Sequence, residues 1–399
     1  MPDFDPWDPS HRADPHALYR EMRTAAPAYR GVGPVTGRSF WFLTRYDDCV
    51  EALKAPHDVL GKEYERHLDP DQIAAQPTTP DATAILNRNL LSVDPPDHTR
   101  LRRLVQRSFT NRAVDRLEDR IDAIAVDLLE QIDEPAFDLI EAYAAPLPVT
   151  VIAEMLGVPE PDRPKFRAWS NAILRAETEE QGMAAGMEFI AYLNDLIAAR
   201  RTEPRDDLTT ELVQAEDDGD RLDHTEMLAM IFLLLVAGHE TTVNLIGNGT
   251  LELLRHPAER RRLLEDPDLL PNAIEEMLRF HGPVESTTVR WAFEEVELGG
   301  ATVPRGDMVI PLLLAANRDP EQFDEPDRFD VGRHPNRHIA FGQGIHFCLG
   351  APLARREGLV AFRRLLERFP DLRLDIDPAD LRWNQDFFLR GVQELPVRA

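Results

Sequence analysis

Phe341-Gly342-Gln343-Gly344-Ile345-His346-Phe347-Cys348-Leu349-Gly350 places one cysteine among three glycines. Glycines let the backbone turn tightly around the sulfur and aim amides at it. The apolar run Pro352-Leu353-Ala354 follows, with Leu359-Val360 one to two turns on. Cys348 therefore precedes a helix, whose N-terminal dipole and free amides favour the thiolate. A thiolate is a strong ligand for a metal. On a haem iron it pushes electron density that favours breaking an O–O bond. Structural zinc would need four ligands, and beyond His338 and His346 no second pair is near. The decapeptide reads as a socket for a haem iron. The other cysteine, Cys49 in Asp47-Asp48-Cys49-Val50, reads as a small buried hydrophobe.

Three further groups of residues carry chemistry. Ala237-Gly238-His239-Glu240-Thr241-Thr242 falls midway along the longest helical pattern, Asp223 to His256. A carboxylate beside a hydroxyl on an apolar helix is costly unless both are used or paired. Gly238 weakens a helix by about 1 kcal/mol relative to alanine, and a threonine can bond back to the carbonyl one turn earlier. Together they predict a local widening that could hold a diatomic ligand and waters. A helix packing defect with a capping-like threonine is the other reading. In Asp94-Pro95-Pro96-Asp97-His98-Thr99-Arg100-Leu101-Arg102 a helix begins after the prolines and puts His98 and Arg102 on one face. A dianionic cofactor needs such cations, and forked guanidinium groups suit carboxylates. Glu276 and Arg279, three apart, share a helix face and can pair.

The decapeptide closely resembles the haem-ligand loop of the cytochrome P450 family, Phe-x-x-Gly-x-His-x-Cys-x-Gly, and matching motifs run from His98 to Leu389. The resemblance implies haem b (iron protoporphyrin IX) with Cys348 as iron ligand. Phe341, Gly342, Gly350, Ala237 and Gly238 would shape the socket, and His98, Arg102, Arg290 and His346 would grip the propionates. It also implies that Thr241 steadies dioxygen while Glu240 feeds protons. Glu276, Arg279 and Arg328, the last from Pro326-Asp327-Arg328-Phe329, would form a buried network under the socket. The family's pocket-lining regions correspond to His57–Leu91, Trp169–Met187, Val284–Val289 and Phe387-Phe388-Leu389. Leu90, Leu91, Leu234, Val284, Val289 and Phe388 are the pocket candidates. All are apolar, so the expected substrate is a hydrophobic small molecule such as a macrolide, terpenoid or steroid. Met183 and Met187 either give a lid adaptable packing or fill a helix interface.

The expected reaction inserts one atom of dioxygen into a C–H bond. No Gly-x-Gly-x-x-Gly follows a strand, so electrons are expected from a ferredoxin or flavodoxin with an NAD(P)H-dependent reductase. Arg100, Arg103, Arg107, Arg355, Arg356, Arg363 and Arg364 make a candidate basic docking face for such a partner. A hydrogen-peroxide-driven peroxygenase and a haem-binding protein without turnover are the alternatives. Neither needs the Glu240-Thr241 pair.

Helical signals dominate the elements that must position these groups. Gln181 to Arg201 reads as one helix, with Met187, Ile190, Leu193, Leu196 and Ile197 as its apolar stripe. Asp223 to His256 reads as a long buried helix with a capping-box start and Pro257 beyond its end. Strands are expected at Ser39 to Thr44, Val289 to Leu298, Ala301 to Val303 and Met308 to Leu313. The expectation is a mainly α, single-domain cytochrome P450 fold over residues 1–399, with a small β region and a long central helix crossing the core. A net charge of −26 argues against nucleic acid and anionic membrane as partners. Lysine occurs only at positions 54, 62 and 165, an arginine bias typical of a bacterial GC-rich gene. The acidic, proline-rich start is unlike a signal peptide, and the apolar stretch Met227 to Gly238 is too short to span a bilayer. Two cysteines make no disulfide framework. A cytoplasmic protein is expected.

Overall fold

A computed structural model describes residues 4–33, 39–67, 88–174, 178–217, 220–385 and 387–399. The helices that frame the site are α1 (Asp97–Val105), α2 (Pro146–Met155), α3 (Arg163–Leu174), α4 (Glu179–Thr202), α5 (His224–Arg255), α6 (Leu270–His281) and α7 (Ala351–Arg368). The start of α5 is the reciprocal cap read from the sequence. The Asp223 carboxylate accepts the Glu226 N–H at 2.8 Å, and the Glu226 carboxylate accepts the Asp223 N–H at 2.9 Å. With 32 residues α5 is roughly 48 Å long. It packs against α2, α6 and α7 and runs through the largest hydrophobic cluster. By length and composition it could cross a membrane, but 67% of its most apolar window is buried inside the protein. Thr178 caps α4, whose bounds extend the expected Gln181–Arg201 by one or two residues at each end.

The β region is small. Strands β1 (Ala28–Val32), β2 (Ser39–Leu43), β3 (Leu60–Gly61), β4 (Arg290–Ala292) and β5 (Met308–Pro311) form one sheet in the order β1-β2-β5-β4-β3. β5 pairs parallel with β2, and antiparallel with β4 so that Val309 faces Arg290. The expected arm from Val289 to Leu298 is split. Its first part joins this sheet, and Val296–Leu298 forms a separate hairpin with Ala301–Val303. Gly299 (φ 58°) and Gly300 (φ 79°) supply the two positive φ values that its two-residue turn requires. The strand expected to reach Leu313 stops at Pro311, and a short helix, Leu313–Ala316, follows.

Candidate active site

Two glycines set the cysteine loop. Gly342 and Gly344 have φ of 69° and 74°, which a side chain resists. At Gly344 a Cβ would also lie 2.3 Å from the Leu53 carbonyl oxygen, whereas at Gly342 it would enter open space. The Cys348 N–H donates to the Phe341 carbonyl at 3.0 Å, closing the loop just before α7. Burial pushes the Cys348 thiol up, while the Gly350 and Ala351 amides and the charges of Arg102 and Arg355 pull it down. The amides lie where the sequence put them, yet burial outweighs them. A bound cation reverses that balance by deprotonating the thiol. Arg355 also stacks over the Phe341 ring at 4.5 Å and forks onto Glu275 at 2.7 and 2.8 Å, with His338 on the same carboxylate at 3.0 Å. Burial opposes ionisation of Glu275, but these two partners hold it at about 2.

On α5, Ala237 is exposed and Gly238 and Thr241 are half-buried, within a helix that is otherwise buried there. A Cβ on Gly238 would meet only Ile152, at 3.8 Å, so this face is open. The Thr241 hydroxyl donates to the Ala237 carbonyl at 2.9 Å, the expected back-bond. The predicted widening is not present: residues 237–242 stay α-helical, and small side chains rather than a broken ladder make the room. Glu240 is buried beside Thr241. His239 spans Leu235 O at 2.7 Å and Ser170 Oγ of α3 at 2.8 Å.

Glu357 was not foreseen. It accepts the Thr242 hydroxyl at 3.0 Å and so ties α7 to α5 one residue beyond Thr241. Burial lifts its pKa to about 8 against that one hydrogen bond. The signal available in the sequence was a glutamate on the apolar stripe of α7, between Leu353 and Ala361 at helical spacing.

A third cluster is cationic. His98 is buried, its ring lies 4.4 Å from the His346 ring, and its Nε2 has no partner among the described residues. Arg290 is buried with one long hydrogen bond, to Thr287 Oγ1 at 3.4 Å, and burial lowers its pKa to about 10. Arg102 spends one nitrogen on the carbonyls of Phe347 (2.8 Å) and Ile345 (3.3 Å), bracing the cysteine loop. Burial and the fields of Lys62, His98, Arg290 and Arg102 hold His346 neutral, at about 2. An orphaned buried nitrogen beside underused cations suits the two carboxylates of a porphyrin. Open space at Gly342 and along the Ala237–Gly238 face suits its ring.

The buried network differs from the expectation in one member. Arg279 forks onto Glu276 at 2.7 and 2.8 Å, both fully buried. The third member is Arg333, whose Nε reaches Glu276 at 3.2 Å; Asn336 and the Asp330 N–H complete the set at 3.1 and 3.0 Å. Arg328 is not in it. Its side chain is 54% exposed and pairs with Glu325 and Asp330, and only its carbonyl accepts from Arg279. Phe329 turns inward at 2% exposure, which sends its neighbour outward.

Five of the candidate docking arginines are ion-paired within the chain. Arg355 is held by Glu275, Arg356 by Asp115 and Glu118, Arg363 and Arg364 by Asp122, and Arg100 by Glu226. Each of the five keeps a partly exposed side chain.

Of the pocket candidates, Leu90 and Leu234 join the main core, while Leu91 is half-buried. Val284 bridges Leu389, and the Phe388 carbonyl accepts the Glu285 N–H at 2.9 Å, so 284–289 and 387–389 adjoin. Val289 precedes β4 and packs against a cluster with Phe387. Residues 68–87 and 175–177 of the expected pocket regions lie outside the described ones. Met183 and Met187 are 48% and 61% exposed and fill no interface.

The family model described as Cytochrome P450 matches residues 149–386. The monooxygenase PikC of Streptomyces venezuelae is 45% identical over 97% of this chain and 91% of its own length. The 6-deoxyerythronolide B hydroxylase of Saccharopolyspora erythraea is 42% identical, covering 100% of this chain and 98% of its own. Among solved structures, PksS of the bacillaene polyketide synthase of Bacillus subtilis 168 matches with a TM-score of 0.92 at 40% identity over 99% of both chains. Since whole-length relatives at this identity are named monooxygenases and hydroxylases, and the same fold extends over almost every residue, this chain belongs to the cytochrome P450 family and is an oxidoreductase.

Proposed function

We propose that this chain is a bacterial monooxygenase that inserts one atom of dioxygen into a C–H bond of a hydrophobic small molecule, with a macrolide or related polyketide scaffold as the first class to test. Membership of the family implies a haem iron; haem b is the form the cation cluster suits. Bound at Cys348, that group supplies dioxygen activation by two electrons and two protons. His98, Arg290 and His346 would hold its carboxylates, Arg102 braces the ligand loop, and Gly342, Gly350, Phe341, Ala237 and Gly238 would surround its ring.

The observation that carries the reading is the open face of α5. Thr241 sits there with its hydroxyl parked on Ala237 O, and the adjoining Glu240 is buried. The hydroxyl is free to swing toward a ligand on that face and hold a water. The Glu240 carboxylate is placed to pass protons to it. Leu91, Val284, Val289 and Phe388, with Leu90 and Leu234 from the main core, would supply an apolar lining that orients substrate through few polar contacts. The same fold matched over 99% of the chain supports reading residues 1–399 as a single domain. Two cysteines and a high acidic charge favour a cytoplasmic setting, with electrons delivered by a ferredoxin or flavodoxin and its NAD(P)H-dependent reductase.

The test is product formed per NADPH consumed, with a surrogate ferredoxin and reductase, on a macrolide chosen by its haem spin-state shift. In Thr241→Ala, substrate affinity and first reduction should hold. Product should fall by about 10²–10⁴ in rate, the worth of positioned proton transfer, while NADPH consumption continues into hydrogen peroxide. Tight coupling in Thr241→Ala sinks the proton-delivery assignment. Turnover with added peroxide and none with NADPH would make the protein a peroxygenase instead.

A further inference from the structure

Lys62 has no place in the cation set expected for the cofactor, yet it lies inside it. It follows β3, and its main-chain N–H donates to Asp94 Oδ2 at 2.7 Å; the Glu63 N–H donates to the same oxygen at 2.9 Å. The side chain turns inward, and all three ammonium protons are used. They go to Thr288 Oγ1 at 2.6 Å, Val289 O at 2.8 Å and Thr288 O at 2.9 Å. Those acceptors belong to the two residues just before Arg290. Among the described residues no carboxylate contacts Lys62 Nζ or the Arg290 guanidinium. Asp94 acts on both only through its field, and that field is shared. A half-buried and a buried cation that repel each other and share the field of one acid are destabilising unless an anion completes them. Burial and repulsion from Arg290 push the Lys62 pKa well below its usual value, which states the same conflict. His346 feels Lys62, His98, Arg290 and Arg102 together, so the unmatched charge converges on one place.

We propose that Lys62 is a positioning residue for the cofactor's carboxylate end: it clamps the 288–289 backbone so that Arg290 is held for the carboxylates, and its own charge is completed by the bound dianion. This rests on the haem reading above. It also joins the cofactor to substrate binding, because the clamped backbone is the last part of the 284–289 pocket wall. A lysine that merely ties two strands together predicts equal handling of any haem, charged or not.

The experiment compares two cofactors in the full-length protein: haem b and its dimethyl ester, in which both carboxylates are neutralised. Loss of each to excess apomyoglobin is followed at the Soret band for wild type, Lys62→Met and Lys62→Gln. The glutamine variant removes the charge and keeps two N–H donors on a stem one bond shorter, whereas methionine matches the stem and removes the donors as well, so an effect of the charge is the one common to both. Wild type should hold the diacid far longer than the diester. Both variants should narrow that ratio by about 10- to 100-fold, the scale of one charge pair in a half-buried site, chiefly through faster loss of the diacid. Faster loss of both haems by the same factor would make Lys62 a strand tie and overturn the proposal, as would an unchanged ratio. A wild type that takes up neither haem overturns the cofactor reading itself, and this inference with it.

Discussion

Glu357 offers the sharpest quantitative test of the packing between α5 and α7. Its carboxyl is 1% exposed, and the Thr242 hydroxyl at 3.0 Å is its one resolved partner. Burial raises its pKa from 4.5 to about 8, so the native protein keeps the acid protonated where the unfolded chain has already ionised it. Between those pH values the native state binds more protons, and stability falls as pH rises. The contribution is fully present below 4.5 and is gone once pH passes about 8. At about 1.36 kcal/mol per pH unit that window is worth roughly 3–5 kcal/mol. Glu357→Gln keeps the shape and an oxygen for Thr242 but cannot ionise. An unfolding entropy of ~2.1 cal/mol/K per residue makes the difference about 4–6 °C in apparent Tm for a chain of 399 residues. Scanning fluorimetry of both proteins from pH 4.5 to 9 should show melting curves that meet at the acid end. They should separate steadily toward pH 8, with the variant the more stable. A constant offset at every pH, or a variant that is weaker at pH 8, refutes the buried neutral acid.

The network under the cysteine loop ranks three arginines. Arg279→Met removes the forked partner of fully buried Glu276, leaving it the longer Arg333 contact, and should cost about 3–5 kcal/mol. Arg333→Ala removes one charge-assisted bond and should cost about 1.5–3 kcal/mol. Arg328→Ala should leave the midpoint close to wild type because its pairs are exposed. Urea midpoints for the three variants check the order, and equal losses at 328 and 333 would contradict it. At the ligand itself, Cys348→His should remove the thiolate signature from the ferrous-carbonyl spectrum and abolish oxygenation, since imidazole donates less electron density. A thiolate-type spectrum in that variant would show that the ligand lies elsewhere.

What was legible in the sequence was local. The Cys348 loop could be read because its glycines and cysteine lie within ten residues and their spacing alone dictates a turn. The α5 cap could be read because Asp223 and Glu226 answer each other across one helical turn. The Thr241 back-bond likewise joins residues four apart. Even so, one local inference failed: residues 237–242 remain α-helical, because α2, α6 and α7 hold α5 along its length. The rest depended on chain segments that meet only after folding. Arg333 rather than Arg328 reaches Glu276, 57 positions away, because a turn buries Phe329 and exposes its neighbour. Glu357 meets Thr242 across 115 positions, and Lys62 meets Thr288 across 226. Arg356, Arg363 and Arg364, which read as part of a basic docking face, meet Asp115, Glu118 and Asp122 when α7 packs on the helix Glu118–Glu130. Helical periodicity and turn chemistry are set by bonds between near neighbours. Which charges neutralise one another is set by burial, which removes water as a partner and forces each buried charge to find another wherever the fold brings one.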